Sequence, residues 1–434
     1  MSNPAISPSE ARVQSLKNPC YQATNISANN FEDCIKCTIC TVYCPVTPVN
    51  PDFPGPKQAG PDGERYRLKK PFYYDEALKY CLNCKRCEVA CPSNVRIGDI
   101  IQSARVHYSK KKPSLRDKML ASTDFVGTMA TPFAPIVNGM LHLKPMKVVL
   151  DKVMGIDKHR HFPSYSSTTF TSWFKRHASK EQERYGRRVS YFHGCYVNYN
   201  YPQLGKDFVT VMNAVGYGVS LLEKEKCCGV AKIANNLVDA ARRDAEINLA
   251  SIRKSVGQGM EVLTTSSTCT LTMRDEYRHI LDIDTSDVRE HIQLATRFIY
   301  KLLDEGKIKV AFRSDFHRRV AYHTPCHMEK LGWAIYSTSL LKMIPGLEFV
   351  PLESACCGIA GTYGFKKENY KYSQQIGDVL FEQIRHAGID SVATDCETCK
   401  WQIEMSTGVH VDNPISIFAE ALDIEETRRL NGLL

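Results

Sequence analysis

Residues 34–45 read CIKCTICTVYCP and residues 81–92 read CLNCKRCEVACP. Both follow C-x2-C-x2-C-x3-C-P. Thiolates at i, i+3 and i+6 of a tight loop can reach three iron corners of one cube. The fourth cysteine, four residues on, enters a helix-like turn and points elsewhere. This chemistry is that of cuboidal iron–sulfur clusters. A zinc site needs only four ligands and does not call for the triplet-plus-one pattern. Cysteines that merely fill a core would have no reason to repeat it. Pro45 and Pro92 each remove a backbone donor and turn the chain away from the site.

In two-cluster ferredoxins the fourth cysteine of such a run ligates the other cluster. That precedent gives one [4Fe–4S] cluster held by Cys34, Cys37, Cys40 and Cys91, and a second held by Cys81, Cys84, Cys87 and Cys44. The stretch between the runs, PVTPVNPDFPGPKQAGPDG, is rich in Pro and Gly and reads as an irregular loop. YDEALKYCLNC and VRIGDIIQSARVHYS have helical spacing, so this module is expected to be mainly helical. Cys20 stands apart and reads as an ordinary small residue.

A second set of cysteines lies in a duplicated half. One copy has Cys195 in YFHGC, Cys227 and Cys228 in CCG, and Cys269 in SSTC. The other has Cys326 in YHTPC, Cys356 and Cys357 in CCG, and Cys396 and Cys399 in CETC. The offsets are 131, 129 and 127 residues, and a repeat at so nearly constant a spacing implies two similar domains. β-rich runs precede the cysteines (VSYF, GVSLL and EVLTT; RVAYH, LEFVPL and SVATD), and helical stretches follow them. Such alternation implies parallel α/β sheets. Cysteines at the carboxyl ends of parallel strands converge where α/β folds bind ligands. They also lie near helix N-termini, whose dipole favours thiolate. The glycine after each cysteine pair lets the backbone turn closely past a bulky group. Adjacent cysteines would form only a strained disulfide, so metal ligation is the more natural reading. The position matching Cys399 is Thr272, so copy one offers four thiols and copy two offers five. His323 and His327 flank Cys326. They suit either proton transfer to a quinone or orientation of the loop.

Between the two cysteine-bearing halves, Phe125–Leu143 contains no Asp, Glu, Lys or Arg. Its length is near the roughly 20 residues that span a bilayer, but it holds Pro132, Pro135, Gly127, Gly139, Asn138 and His142. Lys110, Lys111, Lys112, Arg116 and Lys118 precede it, and Lys144, Lys147 and Lys152 follow. Apolar surface bounded by lysines suits a segment lying in a membrane interface. An interdomain helix pair and a spanning helix are the other readings.

The fold class expected is therefore α+β and multidomain. A mainly helical two-cluster ferredoxin-like domain (1–112) is followed by an amphipathic docking linker (113–185) and two α/β repeats (186–310 and 311–434). The chain has 434 residues, 18 of them cysteine, and a formal charge of +9. No apolar export segment is visible at the N-terminus, so the thiols are expected in a reducing cytoplasm, where spaced cysteines favour metal over disulfides. Two cubes with four thiolates each carry about −2 apiece, which lowers the charge to about +5. That compensation and a membrane surface account for the basic excess better than nucleic acid does.

YHTPCHMEK, CCGIAGTYGFKKENY and TDCETCKWQIEMS, joined to the N-terminal runs, make the whole chain similar to the family of iron–sulfur C subunits of anaerobic glycerol-3-phosphate dehydrogenases. The repeats resemble the CCG domains of the B subunit of heterodisulfide reductase and of glycolate oxidase iron–sulfur subunits. The resemblance implies an electron-transfer and membrane-tethering subunit of anaerobic respiration and glycerol metabolism, itself without catalytic residues. It would pass electrons from a FAD-containing catalytic subunit to menaquinone or ubiquinone, with a second subunit of the same complex beside it. Its place would be peripheral, on the cytoplasmic face of the inner membrane. By analogy with heterodisulfide reductase, Cys326, Cys356, Cys357, Cys396 and Cys399 would hold a non-cubane [4Fe–4S] cluster. The set Cys195, Cys227, Cys228 and Cys269 would hold a different cluster or none. No dinucleotide loop follows a strand, so flavin is expected on the partner. The alternative is an enzyme of heterodisulfide-reductase type acting at the copy-two cluster.

Overall fold

The computed structural model describes residues 30–69, 75–109 and 112–434. Cys20, Lys110 and Lys111 lie outside these. The chain divides into two compact units. One contains the residues up to Lys112 together with Asp275–Asp284, and the other contains Pro113–Arg274 and Thr285–Leu434.

The first unit is helical among its described residues. Its longest helix, Ile97–Tyr108, buries Ile97, Ile100, Ile101, Ala104 and Tyr108. That spacing of three and four puts them on one face. Leu78, Val46, Phe53 and Val95 are also buried in this unit. The cysteine runs form loops that end in two short helices, Ile39–Val42 and Arg86–Val89, which pack against each other. Each loop bends with two left-handed residues around its second cysteine: Lys36 (φ 60°) and Thr38 (φ 65°) in the first run, Asn83 (φ 54°) and Lys85 (φ 64°) in the second.

The second unit carries two four-stranded sheets. Strands β1 (Arg187–Tyr191), β2 (Tyr217–Leu221), β3 (Val262–Thr264) and β4 (Ile292–Leu294) are ordered β2-β1-β3-β4. Strands β5 (Arg318–Tyr322), β6 (Leu347–Pro351), β7 (Ser391–Ala393) and β8 (Val411–Asp412) are ordered β6-β5-β7-β8. Every pairing is parallel. The chain leaves the first strand of each sheet to one side and later crosses to the other. The carboxyl end of that central strand is therefore a topological switch point, where such sheets bind ligands. One apolar core runs through both repeats, including Val189, Tyr191, Phe208 and Leu263 from the first and Val320, Tyr322, Leu341 and Phe418 from the second.

Residues 113–185 pack onto both repeats. Thr123–Ala130 and Ala134–His142 are helices joined by a 3-10 turn at Thr131–Phe133. Pro132 and Pro135 both sit in the first turn of their segments, where the missing N–H costs nothing. Gly127 lies so close to Tyr199 that a Cβ would come 2.4 Å from its ring. No described helix is long and apolar enough to cross a membrane.

Candidate metal centres

In the first unit the eight cysteines of the two runs fall into two groups. The thiols that act on Cys40 are Cys34, Cys91 and Cys37; those that act on Cys87 are Cys84, Cys81 and Cys44. Each group takes three members from one run and the fourth from the other. Burial pushes the Cys44 thiol up to about 12 and Cys87 well above its ordinary value. Four thiolates could not be held together at such depth without a compensating cation, and soft sulfur donors suit iron. The donor set fits two four-thiolate centres.

The second loop has a buried electrostatic frame. Lys85 is buried with Asp99 and Glu88, and its ammonium bonds the Asp99 carboxylate. Asn83 Nδ2 donates to Glu276 Oε1 (2.7 Å). Arg105 donates to the Cys81 carbonyl (3.3 Å). From sequence, Lys85 looks like an ordinary surface lysine, and Glu276 lies far along the chain.

In the second unit both cysteine sets lie beyond the carboxyl ends of the strands. Cys195 Sγ and Cys227 Sγ are 3.8 Å apart, and Cys228 touches both Cys227 and Cys269. Thr272, the counterpart of Cys399, is buried. In copy two Cys357 Sγ and Cys399 Sγ are 3.3 Å apart; Cys357 also touches Cys356, and Cys399 touches Cys396. Cys326 follows β5 and is half-buried. Hydrogen bonds from Cys399, Thr398 and Thr268 outweigh burial and bring Cys396 down to about 5.

Gly229 (φ +93°) and Gly358 (φ +82°) follow the cysteine pairs in left-handed conformation. At Gly358 a Cβ would lie 2.0 Å from the Ser373 carbonyl oxygen. The close approach there is by the helix Lys367–His386.

The repeats meet at these sites. Ser267 donates through its N–H and its hydroxyl to the Asp395 carbonyl (2.8 and 2.9 Å). Ser266 Oγ donates to Glu397 Oε2 (2.9 Å), and Thr268 Oγ1 lies 3.6 Å from Cys396 Sγ. A narrow cavity between the sites is lined by Cys195, Cys269, Cys396, Glu397 and Lys400. Burial, then the charge of Cys396, raises Glu397 to about 8.

Several supporting residues come from outside the motifs. Cys227 N–H donates to Asp124 Oδ2 (2.8 Å), and burial raises Asp124 to about 6. Glu225 accepts from the N–H groups of Gly194 (2.7 Å) and His193 (3.3 Å). Burial raises Glu225 and lowers His193 to about 4; His193 Nδ1 lies 3.1 Å from Glu225 Oε1 and 2.9 Å from the Gly194 carbonyl. Arg160 is buried behind copy two, donating to Ser373 Oγ (2.8 Å), Gln402 and the Gly364 carbonyl.

Two family models match this chain: a 4Fe-4S dicluster domain over residues 30–95, and a cysteine-rich domain over residues 189–274 and again over 320–404. The C subunit of anaerobic glycerol-3-phosphate dehydrogenase from Escherichia coli is 58% identical over 394 residues, which cover 91% of this chain and 99% of that one. The chain belongs to the family of anaerobic glycerol-3-phosphate dehydrogenase C subunits. Within this family's wider circle, the B subunit of fumarate reductase (CoM/CoB) from Methanothermobacter marburgensis is 26% identical, covering 92% of this chain and 72% of that one. The glycolate oxidase iron-sulfur subunit of Escherichia coli is 24% identical, covering 90% and 94%. Membership accounts for the helical dicluster module and the two α/β cysteine repeats found together in one chain.

Proposed function

We propose that this chain is the electron-transfer subunit of an anaerobic glycerol-3-phosphate dehydrogenase. It takes electrons from a FAD-containing catalytic subunit and delivers them to menaquinone or ubiquinone, at the cytoplasmic face of the inner membrane. The observation that carries this reading is the crossed grouping of thiols in the first unit, with two further thiol sets side by side in the second. The ligand sets proposed are Cys34, Cys37, Cys40 and Cys91; Cys81, Cys84, Cys87 and Cys44; and Cys326, Cys356, Cys357, Cys396 and Cys399. Cys195, Cys227, Cys228 and Cys269 form a fourth, poorer set, because a threonine hydroxyl is a much weaker ligand for iron than a thiolate. Bound there, iron–sulfur clusters supply one-electron redox chemistry. The chain's own residues hold them in place, shield them from water, and aim dipoles and hydroxyls at the thiolates.

Membrane contact is supported by the exposed apolar side chains of 115–153. Phe125, Met129, Phe133, Ile136, Met140 and Leu143 are all exposed. They recur every three or four residues, so they form one stripe. Lys118, Lys144, Lys147 and Lys152 flank it, as anionic headgroups would require.

The assembled complex provides the test. Cys357→Ala should abolish quinone reduction by glycerol 3-phosphate while leaving oxidation by an artificial flavin-level acceptor largely intact. Cys228→Ala should cost less. If the complex lacking this chain reduces quinone at the full rate, the proposal is wrong.

A further inference from the structure

We infer that His323 is a nitrogen ligand of the copy-two metal centre. The proposal rests on the reading that copy two holds iron, and it adds a donor of a different kind to the five thiols. The ligating atoms of His323, Cys357 and Cys399 lie within 4.8 Å of one another, and all three residues are buried. His323 is placed by its backbone: its N–H donates to the Ala393 carbonyl (2.9 Å). That bond fixes it at the carboxyl end of β5, beside β7, at the switch point of the sheet. Tyr322, one residue earlier, is held the other way by its hydroxyl on Asp395 Oδ2 (2.7 Å). Residues adjacent on a strand point to opposite faces. Tyr322 thus braces the strand end through Asp395, and His323, the next residue, lies beside Cys357 and Cys399.

The chemistry suits the position. A neutral imidazole offers a lone pair that iron accepts alongside sulfur. The repeat supplies an internal control. Aligning Tyr322 and Cys326 with Tyr191 and Cys195 sets His323 against Phe192, which is buried and has no donor atom. The copy-one histidine, His193, stands one position later and is engaged with Glu225 and the Gly194 carbonyl. Copy two thus differs from copy one at two donor positions, Cys399 for Thr272 and His323 for Phe192. An imidazole ligand carries no negative charge, so it raises the reduction potential relative to an all-thiolate centre.

The experiment uses the full chain in its complex, loaded with iron anaerobically and labelled with 15N at histidine alone. Pulsed EPR is recorded on the signal that Cys357→Ala removes. We expect a 15N coupling of the strength of a directly bound imidazole. It should vanish in His323→Asn and persist in His327→Asn and His193→Asn. His323→Cys should lower the midpoint potential of the same signal. A Cys357-dependent signal without that coupling would overturn the proposal while leaving the iron reading intact. Coupling that survives in His323→Asn would overturn it equally. If His323→Asn loses the centre, the labelled wild-type and the other two variants still decide. If no signal depends on Cys357, the reading of copy two as an iron site fails, and the proposal falls with it.

Discussion

Lys36, Thr38, Asn83 and Lys85 hold left-handed conformations that cost roughly 1–2 kcal/mol for residues with a Cβ. The two loops bend at the same places, on either side of the second cysteine of each run. In the proposed ligand sets the fourth cysteine of each run serves the other group. Cys44→Ser should accordingly damage the centre of Cys81, Cys84 and Cys87 and spare that of Cys34, Cys37 and Cys40. EPR of the anaerobically purified chain would show one of two interacting signals lost; loss of the other signal instead would disprove the crossed arrangement. The two runs themselves are legible in sequence because cluster geometry dictates the spacing of thiols. The residues that serve the thiols are not. Asp124 accepts from Cys227 N–H, and Arg160 is buried against Gln402 and Ser373, yet each lies more than 90 residues from its partner. No local pattern marks such pairs. Glu225 and Glu397 lie close in sequence to Cys227 and Cys396, but no spacing rule singles them out.

The helices of 115–153 show what an element-level reading can rest on. The absence of charge and the lysine flanks point to an interfacial segment. The prolines suggest a broken one, and the run is divided into two helices by a 3-10 turn, with each proline in the first turn of its segment. The buried side chains of these helices are small: Gly127, Ala130, Thr131 and Ala134, with Gly127 against Tyr199 of the first repeat. That lets the large side chains face outward as one stripe. Replacing Phe125, Phe133 and Ile136 by serine should release the subunit from vesicles containing anionic lipid, as measured by co-sedimentation. Each side chain contributes up to about 1.5–3 kcal/mol when buried, so the triple change should lower partitioning by orders of magnitude. High salt alone should only weaken binding, since screening acts on the lysines. Undiminished sedimentation of the triple variant would show that another surface anchors it. The strand order of the two sheets was legible only as a class, because parallel α/β alternation does not say which strand lies at the centre.

At the scale of the molecule, the first unit is not continuous in sequence: Asp275–Asp284 belongs to it. Glu276 from that segment accepts from Asn83 and adds to the negative charge around Lys85. Glu276→Gln should therefore shift the EPR signal or midpoint potential of the centre held by Cys81, Cys84 and Cys87, and leave the other unchanged. An unaltered potential at both would show that Glu276 is electrically silent. This segment also has a consequence for synthesis. Its ten residues leave the ribosome about 170 residues after Lys112. At typical elongation rates that is roughly ten to thirty seconds later. Throughout that interval the nascent chain presents eight thiols whose frame is missing a wall. The order of the cysteines along the chain is thus not the order in which their sites are completed. The copy-one set, ending at Cys269, has emerged before the N-terminal module can close.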